Sequence, residues 1–145
     1  RLIISASEDI GLANPTALVM ANACFEAVKN IGYPECRITL SQCAIYLATS
    51  AKSNSAYDAI NKAQKIVKET GDLSIPLHLR NAPTQLMEDI GYGKNYKYAH
   101  HGENNFMEQE FFPKELIGKK LYNPGSNPKE KLILDWLNKL WKGKY

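Results

Sequence analysis

The stretch from Ser55 to Gly71 constrains the fold more than any other part of the chain. Ala56, Ala59, Ile60, Ala63, Ile66 and Val67 recur at steps of three and four, while Lys62, Lys65 and Lys68 fall on the opposite side. A helix turns once in 3.6 residues and gathers such positions on one face; a strand, with its period of two, would scatter them over both. Ser53 or Ser55 supplies a cap at the start, and Gly71 an end.

The same period recurs along the chain. Leu2, Ile3, Ala6 and Ile10 share a helical face, with Glu8 and Asp9 just ahead of Gly11. Asn14-Pro15 is a good helix start, because asparagine accepts a backbone N–H and proline suits the first helical position. From Thr16 to Asn30 the expected inner face is Leu18, Ala21, Phe25 and Val28, with Gly32 as the stop. Pro34 opens a third helix, in which Ile38, Ile45 and Ala48 line one side beside Leu40, Ala44 and Leu47. This helix is apolar or small nearly all round, which suits a central element with little water contact. A short helix, Thr84 to Ile90, ends at Gly91, and a last one, 129–142, turns Leu132, Ile133, Trp136, Leu137 and Leu140 inward. No β-branched alternating run is long enough for a sheet. The fold class is all-α, one compact multi-helix domain over 1–145.

Composition narrows the function. With 44% hydrophobic and 23% charged residues in 145, the chain is built like an ordinary folded domain. No apolar run reaches the roughly 18–20 residues that cross a bilayer, so no membrane partner is expected. Cys24, Cys36 and Cys43 are odd in number and lack C-x-x-C spacing, so they read as buried thiols in a reducing cytoplasm rather than zinc ligands or a disulfide frame. Charge is unevenly placed: residues 1–112 hold 10 basic and 12 acidic side chains, whereas 113–145 hold eight lysines against Glu115, Glu130 and Asp135. The opening RLIISASEDIG enters a helix with no capping residue before it, as expected of a domain continuing from an upstream part.

Catalytic signatures are missing. A P-loop needs a glycine five residues before its Gly-Lys, yet Glu88, Pro113 and Asn138 precede the pairs at Gly93, Gly118 and Gly143. His78, His100 and His101 have no H-E-x-x-H spacing, and no G-x-S-x-G elbow is present. Glu8 and Asp9 are adjacent on a helix and diverge by about 100°, so they do not form a facing acid pair. Negative charge near a helix C-terminus is disfavoured, which suggests a structural ion pair with Arg37 or Arg80. No catalytic, cofactor-binding or metal-ligating residue is therefore assigned. One loop stands out: Tyr92, Lys94, Tyr96, Lys97, Tyr98 and His100 interleave rings with cations. Such a surface can stack the bases of a single strand and track its phosphates. It can equally be a glycine-hinged connector, its tyrosines packed on the helices with hydroxyls in water.

Five strings, SEDIG-LANP, Pro34–Ala48, AKSNSAYDAI, PLHLRNAPT and GYGKNYKYAH, occur in this order across nearly the whole chain. Together they resemble the C-terminal part of the replication-associated recombination protein A family, also called MgsA or RarA, whose eukaryotic relative is the Werner helicase-interacting protein. The resemblance implies a helical domain similar to the clamp-loader collar, which assembles the parent AAA+ ATPase into a homotetramer for work at stalled replication forks and in recombination. It places ATP and Mg²⁺ in a separate N-terminal ATPase domain and leaves this part non-enzymatic. The implied partners are other copies of the chain and its own ATPase domain, with DNA and single-strand-binding protein reached through the parent in the cytoplasm, at the nucleoid. The rival expectation is a DNA-binding module formed by the tyrosine–lysine loop and the segment Lys114–Lys144.

Overall fold

Local capping decides where the helices begin and end. The computed structural model describes residues 1–145 and contains six α-helices and no strand. Helix α1 spans Leu2–Ser5 and runs into a wider π-helical turn, Ala6–Ile10; α2 covers Thr16–Ile31, α3 Cys36–Thr49, α4 Ser55–Thr70, α5 Gln85–Ile90 and α6 Pro128–Trp141. The Thr84 hydroxyl accepts the Met87 amide to cap α5, and Gly91, in the left-handed region, closes it. Asn127 caps α6 by accepting the Glu130 amide, with Pro128 in the first turn.

Two caps differ from expectation. The Asn14 side chain does not cap α2; its amide donates to Tyr46 Oη at 3.0 Å and Ser50 Oγ at 3.1 Å, tying the α2 entry to the end of α3. At α4 the cap position is Asn54, whose side chain makes no cap bond; Ser53 Oγ, one of the two expected serines, accepts the Ser55 amide at 3.3 Å from one residue further out, and the Ser55 hydroxyl turns to Glu130.

The buried core joins the π turn, α2 and α3. It consists of Ala6, Ile10, Ala17, Ala21, Cys24, Cys43 and Leu47, with Leu2, Ile3, Val28 and Tyr46 packed against it. Five of those seven side chains are alanine or cysteine, so the helices meet closely with little bulk between them. The inner face of α2 is thus Ala17, Ala21, Cys24 and Val28, whereas Leu18 and Phe25, expected inside, are about half exposed. On α3 the expectation of little water contact fails outright: Ile38 and Ile45 are each 62% exposed.

The π turn brings Ala6 and Ile10 inward and presents the Asp9 carbonyl to the Ser53 amide at 2.8 Å. Gly11, at φ +47°, lets the two segments approach: a Cβ there would lie 2.8 Å from the Ser53 carbonyl oxygen.

Residues 72–121 form an arm of short turns around α5. No residue in it is buried. It is fastened to the end of α6, where Phe106 and Phe111 meet the Trp141 ring edge-on at 5.0 and 6.2 Å and the Lys144 ammonium lies 4.3 Å above that ring.

Candidate functional site

The tyrosine–lysine loop folds back on PLHLRN and on residues 108–117, and the three segments enclose an open cleft of about 910 Å³. Backbone pairing sets its shape: the Gly93 amide donates to the Leu77 carbonyl at 2.9 Å, and His78 Nε2 lies 2.9 Å from the Glu110 carbonyl. Lys97 and Gln109 make a two-way tie through backbone and side chain, and Lys97 Nζ donates to the Glu108 carbonyl at 3.1 Å. Lys94, Lys97, Arg80 and Lys114 line the cleft together with Asp72, Glu110 and Glu115, so its charge is mixed. Burial alone would push the Glu110 carboxyl up, but the Phe112 and Phe111 amides and the Lys144 charge bring it below the usual range.

The six loop residues do not share one role. The Tyr92 ring lies 5.0 Å under the Arg80 guanidinium, and its hydroxyl accepts from Arg80 Nη1 at 3.0 Å. Tyr98 packs on His100 and His101, each 5.1 Å away between ring centres. Tyr96 stays about half exposed, and Lys94 points into the cleft lining. The expected ion pairs are not formed. Arg80 donates instead to the Ile75 carbonyl at 2.7 Å and to Tyr92, Asp9 accepts from Ser5 Oγ at 2.7 Å, and the chain's ion pair is the exposed Lys65–Glu69. Arg37 and Glu8 have no part in it.

The most heavily bonded acid is one that the sequence pattern marks only as a charge. Glu130 is fully buried and has no cation beside it. Its carboxylate accepts from Ser55 Oγ, from Asn127 Nδ2 and from the Tyr122 hydroxyl at 2.9 Å. Burial would raise its pKa, yet Ser53, Ser55, the Gly125 amide and Asn127 together outweigh that and hold it at about 2. Burial, followed by the bond to Glu130 and its charge, pushes the Tyr122 phenol up to about 12. Gly125 is needed for the approach, since a Cβ there would stand 2.8 Å from Glu130 Oε2. Asn127-x-x-Glu130 is a capping-box spacing, the one signal in the sequence that could have found it.

All three thiols are free and buried. Burial pushes Cys43 up and the neighbouring Cys24 adds to it, which disfavours the reactive thiolate. No three His, Cys, Asp or Glu side chains converge to hold a metal ion. No helix is long and apolar enough to cross a membrane.

Against this knit interior stands an unusually large exterior. The accessible surface is 10263 Å², and 10 of 145 residues are buried; a folded monomer of 16.3 kDa exposes about 7,500 Å². Val19, Phe25, Ile31, Ile38 and Ile45 are all more than half exposed, as are Ile60 and Val67 on α4 and Leu132 on α6. Small side chains are inside and large ones outside, which inverts the usual order.

The family described as MgsA AAA+ ATPase C terminal matches residues 1–141. Replication-associated recombination protein A of Coxiella burnetii is 43% identical over 144 residues, covering 97% of this chain and 33% of that protein. An uncharacterized protein of Thermotoga maritima is 40% identical over 145 residues, 100% of this chain and 23% of its own length. The ATPase WRNIP1 of Dictyostelium discoideum is 40% identical over 123 residues, 84% of this chain and 14% of that protein. The chain thus spans a third or less of the length of these relatives.

Proposed function

The chain belongs to the C-terminal family of MgsA AAA+ ATPases, and we propose that it holds copies of such an ATPase together, as a homotetramer acting in replication-associated recombination. The observation that carries this reading is the inversion of side-chain size. A core of alanines and cysteines leaves Val19, Phe25, Ile31, Ile38 and Ile45 in water. At about 25 cal/mol per Å² of apolar surface, covering even part of the surplus is worth many kcal/mol. Closed symmetric homo-oligomers are the commonest way in which soluble proteins cover such faces.

ATP and Mg²⁺ chemistry belongs, on this reading, to the remainder of the ATPase, and contacts with DNA and single-strand-binding protein are made through it. The DNA-binding alternative has weaker support, because Tyr92 is taken by Arg80 and Tyr98 by two histidines. Light scattering coupled to gel filtration tests assembly directly: a mass that is a multiple of 16.3 kDa is expected. A single-chain mass throughout the micromolar range would refute it.

A further inference from the structure

Resting on the assembly reading, we propose that α3 is where two copies of this chain meet, each α3 packed antiparallel on the other about a two-fold axis between Ser41 and Gln42. The outer stripe of α3 is Ile38, Ser41, Ile45 and Ala48, spaced by three and four, and all four are exposed. Its opposite side, Cys36, Cys43 and Leu47, is buried. The stripe therefore cannot be needed inside its own chain.

Lack of charge sets this face apart from that of α4, and the outer side of the neighbouring α2, uncharged from Thr16 to Phe25, continues it. From Ile38 to Thr49 the sequence ITLSQCAIYLAT holds no charged residue, whereas α4 interleaves Lys62, Lys65, Lys68 and Glu69 with its apolar positions. Depletion of charge marks the centre of protein–protein interfaces, because burying an ion is costly. A helix face that is exposed yet free of charge over three turns is built to be covered.

The spacing also fits a second copy of the same helix. In a two-fold contact, if residue i meets residue j then j meets i. An axis between Ser41 and Gln42 sets Ile38 against Ile45 of the other copy, twice, and Ser41 against Gln42, twice. Ser41 at the crossing is small enough for helix axes to approach within about 8–10 Å. The surplus of roughly 2,800 Å² on one chain exceeds one partner's share, about 1,000–2,500 Å², of an obligate homodimer interface, which leaves area for this contact and for another.

The test uses the protein with Ile38→Asp and Ile45→Asp together, and separately with Ser41→Cys. The double variant should drop to half the wild-type mass or less by light scattering, with its circular dichroism unchanged. With oxidised glutathione, Ser41→Cys should yield a covalent dimer on a non-reducing gel, and an exposed control, Ser126→Cys, should not. If the aspartate variant keeps the wild-type mass, or the two cysteine variants cross-link alike, α3 is not the contact and another part of the protein covers it. Should the aspartates unfold the chain, the cysteine pair still decides. A monomeric wild type would overturn the assembly reading itself, a result distinct from an assembled wild type indifferent to α3.

Discussion

The helical body and the arm of residues 72–121 are held in order by different physics. All ten buried residues belong to the body, where continuous helices satisfy their own backbone and small side chains let them pack closely. The arm buries nothing. Its order comes from side chains that complete its backbone, such as Arg80 on Ile75, Gln109 on Lys97 and Glu110 on the Phe111 and Phe112 amides, and from the aromatic clasp on Trp141. Segments with few buried apolar contacts open at low free-energy cost, so body and arm should differ in local stability by several kcal/mol. A fold can thus contain a rigid part and a loosely attached one without any domain boundary in its composition.

The largest expected effect falls on the body. Glu130→Ala leaves the buried Ser55 and the half-buried Tyr122 and Asn127 without their shared acceptor, at a cost of about 3 kcal/mol or more. The melting temperature should fall by roughly 10 °C; a fall of less than a few degrees would show that water replaces the carboxylate. A pH titration of wild-type unfolding follows from the same group. Because the folded carboxyl sits at about 2 against an ordinary 4.5, its contribution is fully present above about pH 4.5 and is lost as pH falls through 2. The loss is on the order of 3 kcal/mol. Denaturant midpoints measured from pH 5 to 2 should show this slope, and Glu130→Gln should flatten it.

Gly11→Ala is expected to cost about 2 kcal/mol, from positive φ and the approach to Ser53. Trp141→Ala should act on the other side of the comparison. Amides between 96 and 112 should exchange faster while those of α2 and α3 keep their protection, as read by hydrogen exchange and mass spectrometry. Equal acceleration in both would mean that body and arm unfold as one unit. Smallest of all, Arg80→Lys keeps the charge but loses the fork to Ile75 and Tyr92, and should lower stability by about 1 kcal/mol or less in a melting curve.

How much of this was legible depends on whether a feature is local. The ends of α5 and α6 were placed within a residue or so, because Thr84, Gly91 and Pro128 act on neighbours a turn away. All-α class followed from periodicity alone. Which face points inward did not. On α2 Ala21 and Val28 lie inside as expected, but Leu18 and Phe25, more hydrophobic than Ala17 and Cys24, lie outside; the close α2–α3 approach selected size instead. Glu130 was legible as half of a capping box but not as a buried group. Its partner Ser55 is 75 residues away, and nothing local announces that meeting. Arg80 meets Tyr92 rather than an acid for a similar reason, through a turn of the arm that periodicity does not describe.

The π turn at Ala6–Ile10 has a bearing on which length changes the chain can tolerate. A π turn fits one residue more into a helical turn than α geometry allows. The turn already absorbs that extra residue, so deleting it would leave a regular helix in the same register, whereas inserting a second would rotate the preceding residues by about 100°. After such an insertion Leu2 and Ile3 would swing off the core. Substitutions on the outward side, at Ser7 for example, leave that geometry alone. Among relatives, this stretch should therefore vary in its letters and accept the loss of one residue but not the gain of one.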